Sequence, residues 1–201
     1  MSVLKNPLQR HQSDLVKKLE GIFNQPLFAK VPEVVFHVTD HGAIGDGLTI
    51  DTKHIQDCID AVFRSGGGVV CVPSGIFLCG ALFLKSNVEL RLEEGATIRA
   101  VQDDSRYPEI WSRIAGVEME WPAALINIYK QKNVRITGKG TIDGNGKYWW
   151  DKFWGDPPLS GGMYRDYIDR GLRWAVDYDC KRVRGVLVYD SKDVLIKDIT
   201  V

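Results

Sequence analysis

The chain has 201 residues, of which 44% are hydrophobic and 26% are charged, so it is long enough for one globular domain with a sizeable core. Its 26 basic and 26 acidic residues cancel, which argues against nucleic-acid binding because such proteins carry a strongly basic domain or stripe. No apolar run is long enough to cross a bilayer, and residues 1–30 lack the apolar stretch of a secretory signal. We therefore expect neither a nucleic-acid nor a membrane partner.

A short amphipathic helix is predicted at residues 13–23, where four apolar side chains share one face. Two prolines then break the chain before a first strand at residues 34–38. These signals divide the sequence into an amino-terminal helical extension, residues 1–33, and a single domain, residues 34–201.

A second helix is predicted at about residues 53–64 from one apolar stripe, with Asp51 or Thr52 as its capping residue and the glycine run 66–68 at its end. Short strands separated by Gly, Pro, Asn and Asp follow. They are expected at 69–72, 76–79, 82–84, 88–92, 97–100, 125–128, 134–137, 141–143, 186–189 and 194–201, with irregular insertions at about 102–122 and 144–180.

One short phrase occurs three times along these strands. A polar turn ends in Asn87, Asn133 or Asp193, and a valine then opens a strand of alternating apolar and polar residues. A phrase repeated at intervals of tens of residues predicts a solenoid, in which no unit can bury its apolar face alone. The near-continuous apolar strands favour an all-β parallel β-helix over a sandwich or barrel, with the helix at 53–64 capping the first coil.

The four cysteines show neither a C-x-x-C pair nor a metal-ligand spacing, and the four histidines are scattered. We predict no metal site, and free buried thiols rather than disulfides. Lys181, Arg182 and Arg184 form a basic cluster before the third repeat. This cluster is either a solvated face or a surface suited to an acidic polymer.

Two stretches carry a family resemblance. Residues 39–52 contain the run Gly-Ala-Ile-Gly-Asp-Gly, and residues 138–146 read Gly-Lys-Gly-Thr-Ile-Asp-Gly-Asn-Gly before Trp149 and Trp150. Together these runs resemble the amino-terminal part of right-handed β-helix pectinases, in particular glycoside hydrolase family 28, the polygalacturonases and rhamnogalacturonases. The likeness covers about residues 34–201.

The resemblance implies inverting hydrolysis of a galacturonic-acid-containing polysaccharide or oligosaccharide, with no cofactor and a secreted or periplasmic location. The family's ordered set of catalytic motifs, Asn-Thr-Asp, Asp-Asp, Gly-His-Gly and Arg-x-Lys, does not occur in the chain. We therefore expect no catalytic residue here, with the catalytic aspartates beyond Val201. A stack truncated at its carboxy-terminal side would be inactive alone, and its open last coil could pair edge to edge with another chain.

Four residues are candidates for substrate binding. Asp177 and Asp179, if extended, would project from one face about 7 Å apart, close to the separation of the two carboxylates in inverting glycosidases. Two such carboxylates are also common on any exposed strand. Trp149 and Trp150 could stack on sugar rings, or they could pack the second insertion onto the stack. The run at 143–146 predicts a turn, since no glutamate completes a calcium loop.

Two other functions remain open. A polysaccharide lyase on a similar β-helix would require calcium, and a non-catalytic β-helix would serve as an adhesin or stem. Both would give the same repeated turn and strand pattern, because that pattern reports the scaffold and not the site.

Overall fold

The computed structural model of the chain describes residues 30–172 and 176–201. The helix predicted at residues 13–23 lies outside the described residues, as does nearly all of the predicted extension 1–33. The domain predicted from residue 34 onward falls mostly within them.

The predicted parallel β-helix is confirmed. Three parallel sheets wind around one core, and each complete coil contributes one strand to each sheet. Strands are numbered in chain order. Sheet A has the order β1 (Val35–His37), β3 (Gly68–Val72), β6 (Val88–Leu92), β11 (Lys132–Gly138) and β14 (Lys192–Ile196). Sheet B has the order β12 (Thr141–Asp143), β7 (Ala96–Ala100), β4 (Gly75–Cys79) and β2 (Asp46–Ile50), and sheet C has β13 (Val186–Tyr189), β10 (Ile126–Tyr129) and β5 (Leu82–Phe83).

The core consists of columns of like residues that stack from coil to coil. In sheet A, Val70, Leu90 and Ile136 are in register and fully buried. Burial of each such side chain stabilises the fold by about 1.5–3 kcal/mol. Ile196 continues this column in the last coil, where it is 43% exposed. Each coil therefore shields the apolar side chains of the neighbouring coil from water. In the last coil these side chains are partly exposed.

The corner residues of the repeated turn stack on one another. Asn87, Asn133 and Asp193 all have left-handed backbones, with φ of 61°, 55° and 55°, a conformation that Asn and Asp tolerate better than most residues. Asn133 Nδ2 donates to Asn87 Oδ1 at 3.0 Å, so these two corner side chains bond each other. Asn133 Oδ1 is buried without a hydrogen-bond partner, and Asp193 occupies the next rung. Because a carboxylate cannot donate, the amide ladder ends there.

The predicted capping helix is α1 (Thr52–Arg64), whose apolar stripe is buried against the first coil. The side chain of Gln56 closes the exposed edge of sheet C. Its Nε2 donates to Phe83 O at 3.1 Å, and its Oε1 accepts from Phe83 N at 2.8 Å. An amide side chain thus replaces the missing neighbouring strand.

Asp51 precedes α1, but its side chain does not cap the helix. The carboxylate is fully buried and accepts from Ile44 N at 2.8 Å and from Gly45 N at 3.0 Å. Gly45 has a φ of +70°, and a Cβ there would lie 2.6 Å from the ring of Phe77. The glycine at position 45 therefore allows the chain to turn tightly against Phe77, while Asp51 binds the backbone amides of Ile44 and Gly45.

The insertions contain more regular structure than we predicted. In residues 102–122, β8 (Glu109–Ile114) and β9 (Val117–Pro122) form an antiparallel hairpin. Its turn residues Ala115 and Gly116 have φ of 46° and 90°, a conformation usually signalled by Asn-Gly, which is why the sequence pattern missed it. Further elements that the sequence pattern missed are β2, the 3₁₀ turns Val38–His41 and Asp104–Arg106, and the helices α2 (Lys147–Trp154), α3 (Gly162–Asp169) and α4 (Val176–Asp179).

The four cysteines are free and buried, as predicted. Burial raises the pKa of the Cys58 thiol to about 12 and that of Cys71 to about 11. These thiols stay protonated at neutral pH and act as small apolar side chains.

Candidate functional site

The second insertion leaves sheet B through a tight turn that fixes the start of α2. Asn145 N donates to Asp143 Oδ1 at 2.8 Å, and Asn145 Nδ2 donates to Ala100 O at 3.0 Å. The turn predicted at 143–146 is thus present. Among the described residues, no group of three or more His, Cys, Asp or Glu side chains could hold a metal ion.

Trp149 attaches α2 to the stack. Its ring is 4% exposed and meets Tyr107 edge-on, with ring centroids 5.8 Å apart. Its Nε1 donates to Asp104 Oδ1 at 2.8 Å. The geometry favours the packing interpretation for Trp149, because its faces are not open to a sugar ring.

Asp104 joins the two insertions. Besides Trp149 it accepts from Tyr148 OH at 3.1 Å and from Lys152 Nζ at 2.9 Å. Burial acts to raise the pKa of Asp104, but the hydrogen bonds from Lys152 and Trp149 outweigh it and lower this pKa below its usual value. The ionised carboxylate therefore holds α2 in place at neutral pH.

Trp150, the next residue of α2, is 55% exposed. Its ring centroid is 5.8 Å from that of Trp154, and the guanidinium of Arg182 lies 4.2 Å from the centroid of Phe153. These side chains line a groove of about 290 Å³. Trp149, Gly144, Gly146 and Val183 complete its lining. We call it the aromatic groove.

The aromatic groove combines two features that suit an acidic sugar. An exposed indole presents an apolar face against which a pyranose ring can stack. Arg182 supplies positive charge beside it, although Asp177 Oδ1 lies 3.5 Å from its Nη2. Since neither groove glycine would place a Cβ within 4 Å of other atoms, this side of the groove is open.

Asp177 and Asp179 do not form the extended pair that we considered. They lie on the four-residue helix α4, where side chains two positions apart do not face each other. Asp177 contacts Arg182, and Asp179 Oδ2 accepts from Tyr167 OH at 2.9 Å. Both carboxylates thus hold protein side chains, and their spacing on a strand no longer suggests an acid and base pair.

Comparison with known proteins shows that the chain is similar to polygalacturonases. No protein-family model matches the sequence. The chain is 41% identical over 124 residues to an exo-poly-α-D-galacturonosidase of Dickeya chrysanthemi, an alignment covering 58% of this chain and 20% of that protein. It is 35% identical over 179 residues to a probable polygalacturonase of Vitis vinifera, covering 82% of this chain and 36% of that protein.

Solved structures show the same similarity to polygalacturonases. An exopolygalacturonase from Thermotoga maritima matches 92% of this chain and 45% of its own length, with a TM-score of 0.71 and 28% identity. The family 28 exopolygalacturonase of Yersinia enterocolitica matches 84% of this chain and 34% of its own length, with a TM-score of 0.64 and 27% identity. The chain is a relative of the family 28 polygalacturonases.

The resemblance to family 28 inferred from the sequence motifs is thus confirmed, as is the pectinase-type β-helix. The chain spans 20% and 36% of the length of the two curated relatives. The catalytic motifs of family 28 that are missing from this sequence stay a prediction for the region beyond Val201.

Sequence reasoning missed part of the groove. Phe153 and the groove glycines carried no binding signal of their own, because a core aromatic and a turn glycine look the same in sequence. Arg182 belongs to the basic cluster at 181–184, so charge patterning did give an indication of it. Only the fold brings that cluster against α2.

Proposed function

We propose that the chain forms the amino-terminal coils of a family 28 glycoside hydrolase that degrades galacturonic-acid-containing polysaccharide. The observation that carries this proposal is the match of its β-helix, over most of the described residues, to solved exopolygalacturonases. The two sequence relatives described above are a galacturonosidase and a probable polygalacturonase by name. Hydrolysis would be inverting, with one carboxylic acid protonating the leaving oxygen and a carboxylate activating water.

In this proposal the chain supplies binding and orientation. Trp150 stacks on a sugar ring, and Arg182 attracts the carboxylate of a galacturonate unit. Asp177 holds the Arg182 guanidinium at the groove, and Trp149 positions α2. No cofactor takes part. The catalytic aspartates come from coils after Val201, so the 201-residue chain alone is inactive.

The last coil supports a further part of the proposal. Val188 and Ile196 are 45% and 43% exposed, although the in-register residues one coil below, Ile128 and Ile136, are fully buried. Strands β13 and β14 each have a neighbour on one side only. This edge would pair with a further strand, either from later in the same polypeptide or from a second copy.

We place the protein outside the cytoplasm, in a secreted or periplasmic location, because pectic polymers are cell-wall material. Within the part of the chain that the structure describes, no helix has the length and apolar character to span a membrane.

Product analysis of the longer product of the gene on polygalacturonate tests the reaction class. Proton NMR at early times should show saturated products whose new reducing end has the inverted anomeric configuration. Products that absorb in the ultraviolet through a new double bond, with activity lost to a chelator, would instead establish a lyase. Binding without any product would establish a non-catalytic β-helix.

A further inference from the structure

The basic cluster at 181–184 contains three cations, two of which have carboxylate partners. Lys181 Nζ contacts Glu109 Oε1, and Arg182 Nη2 lies 3.5 Å from Asp177 Oδ1. Arg184 differs, since its hydrogen bonds among the described residues all go to neutral groups.

Arg184 is held in one orientation by the hairpin β8–β9. Its Nη2 donates to Ser112 Oγ at 2.9 Å, and its Nη1 lies 3.4 Å from Arg113 O as a longer contact. Ser112 is fully buried, so the anchoring point is fixed by the packing of the hairpin. The guanidinium is therefore preorganised before any ligand arrives.

Arg184 keeps donors that its contacts with the hairpin do not use. A guanidinium carries five N–H groups, and two of those on Arg184 are used by Ser112 and Arg113. Nε is buried and has no hydrogen-bond partner within the part of the chain that the structure describes. One N–H on each Nη is left, and two parallel N–H groups of this kind bind a carboxylate through both of its oxygens.

The charge environment of Arg184 also favours the binding of an anion. Burial lowers the pKa of Arg184, and no anion among the described residues acts against this shift. A partly desolvated charge without a counter-charge is unfavourable for the folded protein. Groups that combine desolvation with an unused charge are candidates for ligand binding.

Arg184 is also close in the chain to residues that line the aromatic groove. Its backbone carbonyl accepts from Leu125 N, which places it in the coil above and at the entrance to β13. Two residues earlier in the chain, Arg182 lines the groove. A polymer with one acidic unit in the groove would bring the next unit towards the hairpin.

We propose that Arg184 is a specificity-determining residue that binds the carboxylate of a uronic acid unit and so selects the acidic polymer over its methyl ester. This inference rests on the proposed function, because it takes the polymer to be pectic. A carboxylate could also come from a second copy of the chain, so the experiment must separate these two sources.

The test is isothermal titration calorimetry of the full chain with trigalacturonate and with its methyl ester. Arg184→Gln should weaken trigalacturonate binding by about 10- to 100-fold, the effect of losing hydrogen bonds to a charged group. Arg184→Lys should bind with intermediate affinity, because a lysine retains the charge but not the paired donors. Binding of the methyl ester should be the same in wild type and both variants.

Lys132→Gln is the matched control, since it removes one exposed cation from β11, outside the groove and the hairpin, and should change affinity by less than about 3-fold. Equal binding of trigalacturonate by wild type, Arg184→Gln and Arg184→Lys would overturn the inference and leave the proposed function intact. No binding by wild type would overturn both. Sedimentation showing self-association that only the Arg184 variants lose, with unchanged trigalacturonate binding, would assign the carboxylate to a second copy and overturn the inference. Circular dichroism establishes whether the variants fold. If Arg184→Gln does not fold, the comparison of wild type with Arg184→Lys still tests the inference.

Discussion

Replacement of Asp51 by Asn tests how the amino-terminal signature holds the first coil. The buried carboxylate accepts one hydrogen bond from Ile44 N and one from Gly45 N. An asparagine of the same shape keeps one acceptor, but its NH₂ group faces the other backbone N–H. The variant therefore loses one hydrogen bond to a charged group and leaves a buried donor unpaired.

Each of these losses costs about 1–3 kcal/mol, and removal of a buried charge recovers part of the cost. We expect Asp51→Asn to lower the free energy of unfolding by about 2–3 kcal/mol. Urea unfolding followed by circular dichroism and tryptophan fluorescence measures this change through the midpoint at constant slope.

Asp46→Asn is the matched control for this prediction. Asp46 lies in the same loop and accepts from Leu48 N at 2.8 Å and from Thr49 N at 2.7 Å, but it is exposed to water. Water can replace those bonds, so we expect little change in the unfolding midpoint. If Asp51→Asn unfolds at the wild-type midpoint, or if both variants shift equally, burial does not determine the role of Asp51.

The remaining predictions concern the stacked corner residues Asn133 and Asp193, the aromatic groove, and the contacts of Asp104 that join the two insertions. Asp193→Asn should raise the free energy of unfolding by about 1 kcal/mol, because its amide can donate to the unpaired Asn133 Oδ1; an unchanged urea midpoint would contradict this. Trp150→Ala should weaken trigalacturonate binding in calorimetry, whereas Trp111→Ala, which removes a 50% exposed indole from the hairpin, should not; equal losses would argue against the groove. Asp104→Asn should destabilise the chain at neutral pH but not in acid. Because the pKa of Asp104 is lowered in the folded protein, the ionised carboxylate stabilises the fold at pH values above its unfolded pKa, near 3.9. This stabilisation is lost as the pH falls through the folded pKa. A constant difference in thermal stability between variant and wild type at several pH values would refute this.

The fold could be predicted because the repeated phrase is a direct consequence of solenoid geometry. A left-handed corner favours Asn or Asp, and the next residue must point into the core, which gives Asn-Val at Asn87 and Asn133. Because the coils stack in register, the same two requirements on the corner residue and its neighbour recur one coil later. Local physical requirements of this kind leave a visible pattern in the sequence.

The site could be predicted only in part, because its contacts join residues far apart in the chain. Nothing near Asp51 in sequence indicates that its side chain binds amides six and seven positions earlier. Nor does the sequence show that Arg184 meets Ser112, 72 positions away, since that contact depends on where the hairpin folds. Asp177 and Asp179 had strand-like spacing, but the second insertion forms short helices.

Product formation from polygalacturonate, measured as released reducing ends, tests the central claim most directly. The assay compares the 201-residue chain with a longer product that carries the further coils we propose. We predict no release by the chain alone and steady hydrolysis by the longer product. Release by the 201-residue chain would contradict the claim that it supplies binding surfaces without the catalytic carboxylates.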